Sequence, residues 1–495
     1  MHKSVKNYIQ LLFSNFGRIL IGILSTALLA RLLGPKGMGV WAIYVGTATF
    51  FHALLINWTQ ELTVKYGIEE WKRKQSLRDT WNYRLPLLLF GFAISFLALL
   101  SISAAGQLED VLQLKSSWWI IIWLYIVNLW LIAEVTSLLV ASDNLSGLAT
   151  AQLVMPLVHV LYMAVIYWGD FFEDNTEPVI FGVTVISCLS WGALFIRTTR
   201  RVKLSAGPFS RTDTHRFLKY AWPFIPVVMI HYLSYWCDHY IILAYFTMRE
   251  VGLFQAAYGV MIVTAGFAAP LFMIILTRMT GESEGDLALT NTKLLKIVPT
   301  VISIWGLSII CIISIMPFLF ILIMGQEFIE ALSLFNILLI SIPGAGIFSI
   351  YDALFRIQGR VKVVVRVFGL IASSNIAISL ALMPHFGPAG AAVGTLSSFI
   401  LGQILYIANQ HTYQNIKDTK IWGIYGGLVI AALIMALVGN GLFARLATGL
   451  ALLLALILYM RKVRAVDPVT VNKLFSGHLA GMGRYVTKVL ADTRA

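Results

Sequence analysis

The chain has 495 residues, of which 58% are hydrophobic and only 12% charged. A water-soluble domain carries about twice that charge density, and no soluble core absorbs so much apolar side chain, so the solvent for most of this chain is lipid. The net charge is +13, and the three cysteines, Cys188, Cys237 and Cys311, form no CxxC pair, which argues against both a disulfide framework and a zinc site.

A membrane-spanning helix needs about 20 mostly apolar residues. Stretches of that kind fall at 8–33, 38–62, 85–105, 118–140, 148–168, 178–197, 220–246, 251–276, 294–324, 332–355, 363–384, 387–409, 421–439 and 442–460. They predict an all-α polytopic membrane protein of about fourteen helices. The range is twelve to fourteen, because the last two stretches are short and share the break Gly439-Asn440-Gly441. The first stretch is too long for the apolar core of a signal peptide and is followed by no small-residue cleavage site, so it is expected to remain in the mature chain.

Polar residues inside these stretches are the informative ones, because a charge at mid-membrane costs about 2.5–3.5 kcal/mol on insertion scales. In the first span, Asn15, Arg18, Gly22 and Ser25 share one helical face. In the second, Thr49, Ala53, Asn57, Gln60 and Glu61 do the same. Glu134 stands alone in the fourth span, and His231, Ser234, Tyr235, Asp238 and His239 stripe the seventh, with Gln255 following in the eighth. Asp352 and Arg356 form an i, i+4 pair read as a self-contained ion pair near the end of the tenth. His52 and His159 read as packed histidines bonded to neighbouring helices. Arg18 cannot shed its proton, so the wall of a water-filled cavity is its expected place. Glu61, Glu134 and Asp238 are the candidate ion-coupling carboxylates. Asn15, Arg18, Asn57, Gln60, His231, Tyr235, His239 and Gln255 are the candidate substrate contacts.

Lysine and arginine placement orients the spans. With the N-terminus inside, the inner segments hold 31 of the 37 basic residues and the outer loops hold 5, namely Arg31, Lys36, Lys115, Arg249 and Arg445, with Arg18 inside a span. The outer loop after span five carries Asp170, Glu173, Asp174 and Glu177 and no basic residue. Both termini are therefore expected in the cytoplasm. The positive charge reads as topology and contact with anionic lipids, not nucleic acid. The basic tail, 462–495, places Val471, Phe475, Leu479, Met482, Val486 and Val489 near helical spacing. It admits two readings, an interfacial helix or a frayed terminus.

The chain also repeats. Lys36, Gly39, Trp41 and Gly46 match Arg249, Gly252, Phe254 and Gly259 at an offset of 213, and residues 141–144 match 357–360 at an offset of 216. Inner turns match inner turns and outer match outer, so the repeat is parallel. Two six-helix lobes with a central cavity are expected, 1–200 and 216–410, joined by a basic cytoplasmic linker at 201–215. Helices 13 and 14 follow over 411–461. There is no GxxxxGK[ST], HExxH or GxSxG motif, which argues against an ATP-driven pump or a zinc protease. The GxxxG spacings at Gly390–Gly394 and Gly423–Gly427 read as helix packing. A secondary transporter, not an enzyme, is expected. A membrane-bound glycosyltransferase or polymerase would need a large outer loop, and the longest here are about a dozen residues.

Three motifs resemble a known family. Residues 27–43 (ALLARLLGPKGMGVWAI) look like the first loop of polysaccharide flippases in the multidrug/oligosaccharidyl-lipid/polysaccharide exporter superfamily. Residues 385–394 (HFGPAGAAVG) resemble a later turn of that family, and Gln358-Gly359-Arg360 one of its loops. The resemblance implies transport of an O-antigen or exopolysaccharide oligosaccharide on a polyprenyl diphosphate. The carrier would be flipped from the inner to the outer leaflet of a bacterial inner membrane by alternating access. It also implies partners among polysaccharide polymerase and assembly proteins, no cofactor, and H⁺ or Na⁺ as coupling ion. Arg18 and Glu61 stand where related lipid II flippases carry an arginine and a glutamate on their first two helices. A multidrug/cation antiporter of the same superfamily is the alternative; Arg18 on a cavity wall argues against it.

Overall fold

The computed structural model describes residues 2–169, 176–204, 211–266, 287–358, 360–414, 420–439, 441–468, 471, 485–488 and 490. Every regular element among them is a helix. The chain divides into two compact units, 1–256 and 257–495.

The first unit contains α1 (His2–Leu55), α2 (Gln60–Lys74), α3 (Arg78–Ala104), the single turn α4 (Gln107–Asp110), α5 (Trp118–Ala141), α6 (Leu145–Gly169), α7 (Thr176–Arg201), α8 (Arg211–Ala221), α9 (Phe224–Tyr245) and the start of α10 (Met248–Gly266). α1 is two helices that meet at a kink at Gly34, which lies at φ 60°, ψ −178°. Glycine takes that conformation without a Cβ penalty, and Pro35 behind it needs no N–H partner in opening the next helix. This is the gap expected between spans one and two. A second break was not expected. The helix stops at Leu55, a 3₁₀ turn covers Asn57–Thr59, and α2 then runs on to Lys74, so span two is a broken helix that continues past its apolar stretch.

α1 packs along α6 and α9, while α5 packs along α2 and α7. The core between α5, α6 and α7 is Leu131, Val135, Leu139, Leu148, Ala151 and Trp191. α8 begins inside the expected linker and lies against α2 and α3, where Phe217 and Ala221 bury Trp58 and Leu62. Lys65 caps this cluster, its ammonium 3.9 Å from the Tyr220 ring centre, a cation–π contact.

The matched turns of the expected repeat meet in the backbone. A Cβ on Gly39 would strike the Met248 carbonyl, and a Cβ on Gly252 would strike the Pro35 carbonyl. The pairs 39/252 and 35/248 both obey the 213 offset, so the contact is reciprocal. The second matched pair of turns closes identically too. Asn144 donates to the Leu139 carbonyl at 2.9 Å, and Arg360 to that of Phe355 at 2.8 Å, the 6→1 bond that ends a helix.

In the second unit, α11 (Leu287–Met324) is followed by α12 (Ala331–Leu339), α13 (Ala345–Ile357), α14 (Val361–Phe386), α15 (Pro388–Gln414), α16 (Lys420–Leu437) and α17 (Leu442–Lys462). α14 and α15 form a hairpin through Gly387, at φ 60° before Pro388, the same glycine–proline joint as at Gly34. α11 packs on α16 and α17. Past α17 the chain turns back on α11: Thr300 accepts the Asp467 N–H at 2.9 Å, and Val471 and Leu490 are buried. Asp467, Val471 and Leu490 of the tail are thus held against protein.

Among the described residues ten helices are long and apolar enough to cross a membrane, and the bent pair Ala331–Leu339 with Ile342–Asp352, taken as one span, is an eleventh. Gly17–Leu55 counts there as one but holds parts of two expected spans. α9 is not among the ten, its polar stripe lowering its mean hydropathy. The expected eighth span, 251–276, leaves the described residues after 266. About fourteen helices is therefore the right architecture, and 420–437 and 442–462 are separate helices, each long enough to cross. Their outward faces are apolar, Leu437 being 79% and Phe443 87% exposed. That is the arrangement lipid demands.

Candidate functional site

The most tightly built polar site lies in the first unit. Arg84, seven residues into α3, is 0% exposed, and so is Glu134 of α5. Their Nη1 and Oε2 atoms are 2.5 Å apart. Arg84 also donates from Nε to the Thr59 hydroxyl at 3.0 Å and from Nη1 to the Thr63 hydroxyl at 2.6 Å. One guanidinium thus ties α3 to α5, to the 3₁₀ turn and to the first turns of α2. Arg84 Nη2 and Glu134 Oε1 are buried and find no partner among the described residues. His52, also buried, lies within electrostatic reach of Arg84.

Sequence reasoning counted Arg84 among the inner basic segment, and that placement needs correction. A cation just before an apolar run reads as a flanking charge, and only the isolated carboxylate at Glu134 hinted that a buried cation must exist somewhere. Arg445 is corrected likewise. It is not in a loop but buried in α17, donating from Nη2 to Asn336 at 3.0 Å and from Nε to the Gly439 carbonyl at 3.2 Å.

A second polar group forms where α9 meets α1 and α10. His239 Nε2 and Gln255 Oε1 are 2.6 Å apart, so two expected substrate contacts are bonded to each other, with Nε2 donating. Tyr240 and Thr47 share a hydrogen bond of 3.2 Å, and Asp238 is buried beside them on the same helix. His231 and Tyr235 are half-buried on α9. Asn57 and Gln60 stand half-buried at the helix break, Gln60 Nε2 without a partner among the described residues. Arg18 is exposed on α1, and a Cβ on Gly22, one turn along, would meet nothing within 4 Å. The side chains of Asn15, Glu61 and Arg356 lie outside the described residues, and with them the expected Asp352–Arg356 pair.

The second unit holds a buried hydroxyl and amide cluster that sequence reasoning passed over. Asn375 and Ser379 of α14 and Thr395 and Ser398 of α15 are at most 1% exposed, and Ser379 donates to Asn375 Oδ1 at 3.2 Å. Gly394 makes room, since a Cβ there would run into Ser379. Neutral residues inside an apolar hairpin give no charge signal, which is why they escaped notice. Among the described residues no three His, Cys, Asp or Glu side chains gather as a metal site.

No family model matches the chain, and no curated protein matches it. Solved structures do match in fold. The lipid II flippase MurJ, in an inward closed conformation, aligns with a TM-score of 0.68 at 14% identity over 92% of this chain and 100% of its own. An inward-facing multidrug resistance MATE family transporter of the MOP superfamily aligns at 0.58, with 12% identity over 83% of this chain and 100% of its own. The Vibrio cholerae MATE transporter VcmN aligns at 0.53, with 14% identity over 84% and 99%. The chain is thus a multi-pass membrane protein with a MurJ/MATE-like fold. Its structural neighbours are transporters and flippases, not enzymes.

Proposed function

We propose that the chain flips a polyprenyl-diphosphate-linked oligosaccharide from the inner to the outer leaflet of a bacterial inner membrane. It does so by alternating access, coupled to H⁺ or Na⁺, with both termini in the cytoplasm. The observation that carries this reading is the exposed guanidinium of Arg18 within an apolar helix. Arg84 and Arg445 show what the fold does with structural arginines: it buries and bonds them. An arginine left exposed at membrane depth serves a ligand, and a diphosphate offers the oxygens its fork binds bidentately. Asn15, Asn57, Gln60, His231, Tyr235, His239 and Gln255 supply the polar contacts for sugars, which cannot cross the apolar layer bare.

Coupling falls to Glu61 and Asp238. Glu134 is committed, since a cation bound there would share one carboxylate with Arg84. The MATE likeness keeps a cation antiporter as the rival, and a permanent positive charge on the route disfavours it. In vesicles carrying a fluorescent lipid-linked oligosaccharide in one leaflet, the chain should expose it on the other, and an ion gradient should drive it uphill. Arg18→Ala should abolish this while the protein still accumulates, and Arg18→Lys, which keeps charge without the fork, should be partly active. Ethidium efflux without lipid flipping would select the antiporter instead.

A further inference from the structure

We propose that Arg84 is a positioning residue for the second span: anchored on Glu134, it holds the helix break at 56–59 and so sets where Asn57 and Gln60 stand. The clause about the break rests on geometry; that Asn57 and Gln60 then serve the substrate rests on the function proposed above.

A helix interrupted inside an apolar stretch must find other partners for its freed backbone groups. Ile56 leaves helical geometry at φ −128°, and neither the 3₁₀ turn nor α2 begins with a side-chain cap. Support comes from Thr59 instead. Its hydroxyl donates to the Ile56 carbonyl at 2.7 Å and accepts from Arg84 Nε at 3.0 Å. One turn on, Thr63 accepts from Nη1 at 2.6 Å. The planar guanidinium fixes the angle between these bonds, so the break and the first turn of α2 are set as one piece. Glu134 keeps the guanidinium from turning, bonding the same Nη1 at 2.5 Å from a different helix. Without that post, the two threonines would hold a freely rotating side chain.

The pair is a poor choice if stability were all it supplied. Buried ion pairs are often matched or bettered by apolar side chains of similar volume, and here Nη2 and Oε1 find no partner among the described residues. What an apolar replacement cannot reproduce is the directed pull on Thr59 and Thr63. Position is therefore the property that the pair supplies.

The test reads position directly. In a background with Cys188, Cys237 and Cys311 replaced by alanine or serine, a single cysteine is introduced by Asn57→Cys or, separately, Gln60→Cys. Its rate of reaction with a water-soluble maleimide is measured in reconstituted vesicles. The double variant Arg84→Met/Glu134→Leu should accumulate and melt like the parent, yet change the labelling rate at 57 or 60 severalfold. Arg84→Lys and Thr59→Val should shift it in the same direction, and a control cysteine placed by Val111→Cys, exposed in the loop after α4, should be unaffected. Unchanged labelling at both positions in the folded double variant overturns the proposal. Should that variant not fold, unchanged labelling in Thr59→Val overturns it equally. A shifted labelling rate with lipid flipping at the parental rate supports the positioning and overturns only the assignment of Asn57 and Gln60 to the substrate route.

Discussion

At the scale of single residues, Arg84 and Glu134 show how burial changes the meaning of a charge. Removing one partner leaves the other buried and uncompensated, which costs about 3–5 kcal/mol. Arg84→Ala or Glu134→Ala should therefore sharply lower the unfolding temperature in detergent. Arg84→Met with Glu134→Leu should bring it back to the parent's value. If the single and double variants melt alike, the pair is not the anchor described. Glu109 makes the opposite case at an exposed site. The Ser116 backbone N–H and then its hydroxyl, both 2.9 Å away, hold the Glu109 carboxyl below its ordinary range. A carboxylate lowered by folding contributes stability above its unfolded pKa, and that contribution is lost as the pH falls through the folded value. Melting curves of the parent and Glu109→Gln should thus differ at neutral pH and converge as the pH falls below the ordinary carboxylate range. The sequence made Glu134 conspicuous because a carboxylate in an apolar run has to be explained. It could not name the partner, which lies fifty positions away and is brought close only by packing of α3 on α5.

At the scale of elements, the joints were legible where glycine and proline mark them. The Gly34-Pro35 and Gly387-Pro388 joints fall within a residue of the expected span limits. The break at 56–59 was not legible, since Ile56, Asn57, Trp58 and Thr59 carry no such mark and the hydrogen bond that reaches Thr59 comes from Arg84, twenty-five positions away. The start of α3 is also made from afar. Glu70 of α2, 4% exposed, accepts the Asp79 and Thr80 N–H groups at 2.9 and 2.8 Å and the Thr80 hydroxyl at 2.7 Å. This satisfies donors that every helix start leaves over and places a negative charge at the favourable end of the helix dipole. Glu70→Ala strands those donors and should cost about 1–3 kcal/mol. Glu70→Gln keeps one acceptor oxygen and should cost less. Faster amide exchange at the first turn of α3 in the alanine variant, with α5 unchanged, would localise the loss; uniform destabilisation would contradict the assignment.

At the scale of the whole molecule, composition carried furthest. Moving Arg84 and Arg445 from loops into helices turns the basic split from 31 against 5 into 30 against 4, so the orientation it implies is untouched. A reporter active only outside the cytoplasm, fused after residue 495, should give no signal. A signal there would require an odd number of crossings. The fourteen stretches were legible because lipid imposes a length on every apolar helix. The neutral cluster of Asn375, Ser379, Thr395 and Ser398 was not, because only packing reveals which small polar residues face one another. The substrate-facing residues stand between these extremes: a polar stripe marks a helix face, while what that face meets is decided by its neighbours.

The reciprocal meeting of Gly39 with Met248 and of Gly252 with Pro35 carries a historical consequence. Contacts in which residue i touches j while the counterpart of i touches the counterpart of j are the signature of a twofold interface between identical subunits. Here both partners belong to one polypeptide. Such a contact is what two copies of a half-length chain would have made as a homodimer, and gene fusion would have preserved it. Glycine stands on both sides for the same physical reason, because a Cβ at either position would strike the opposite carbonyl.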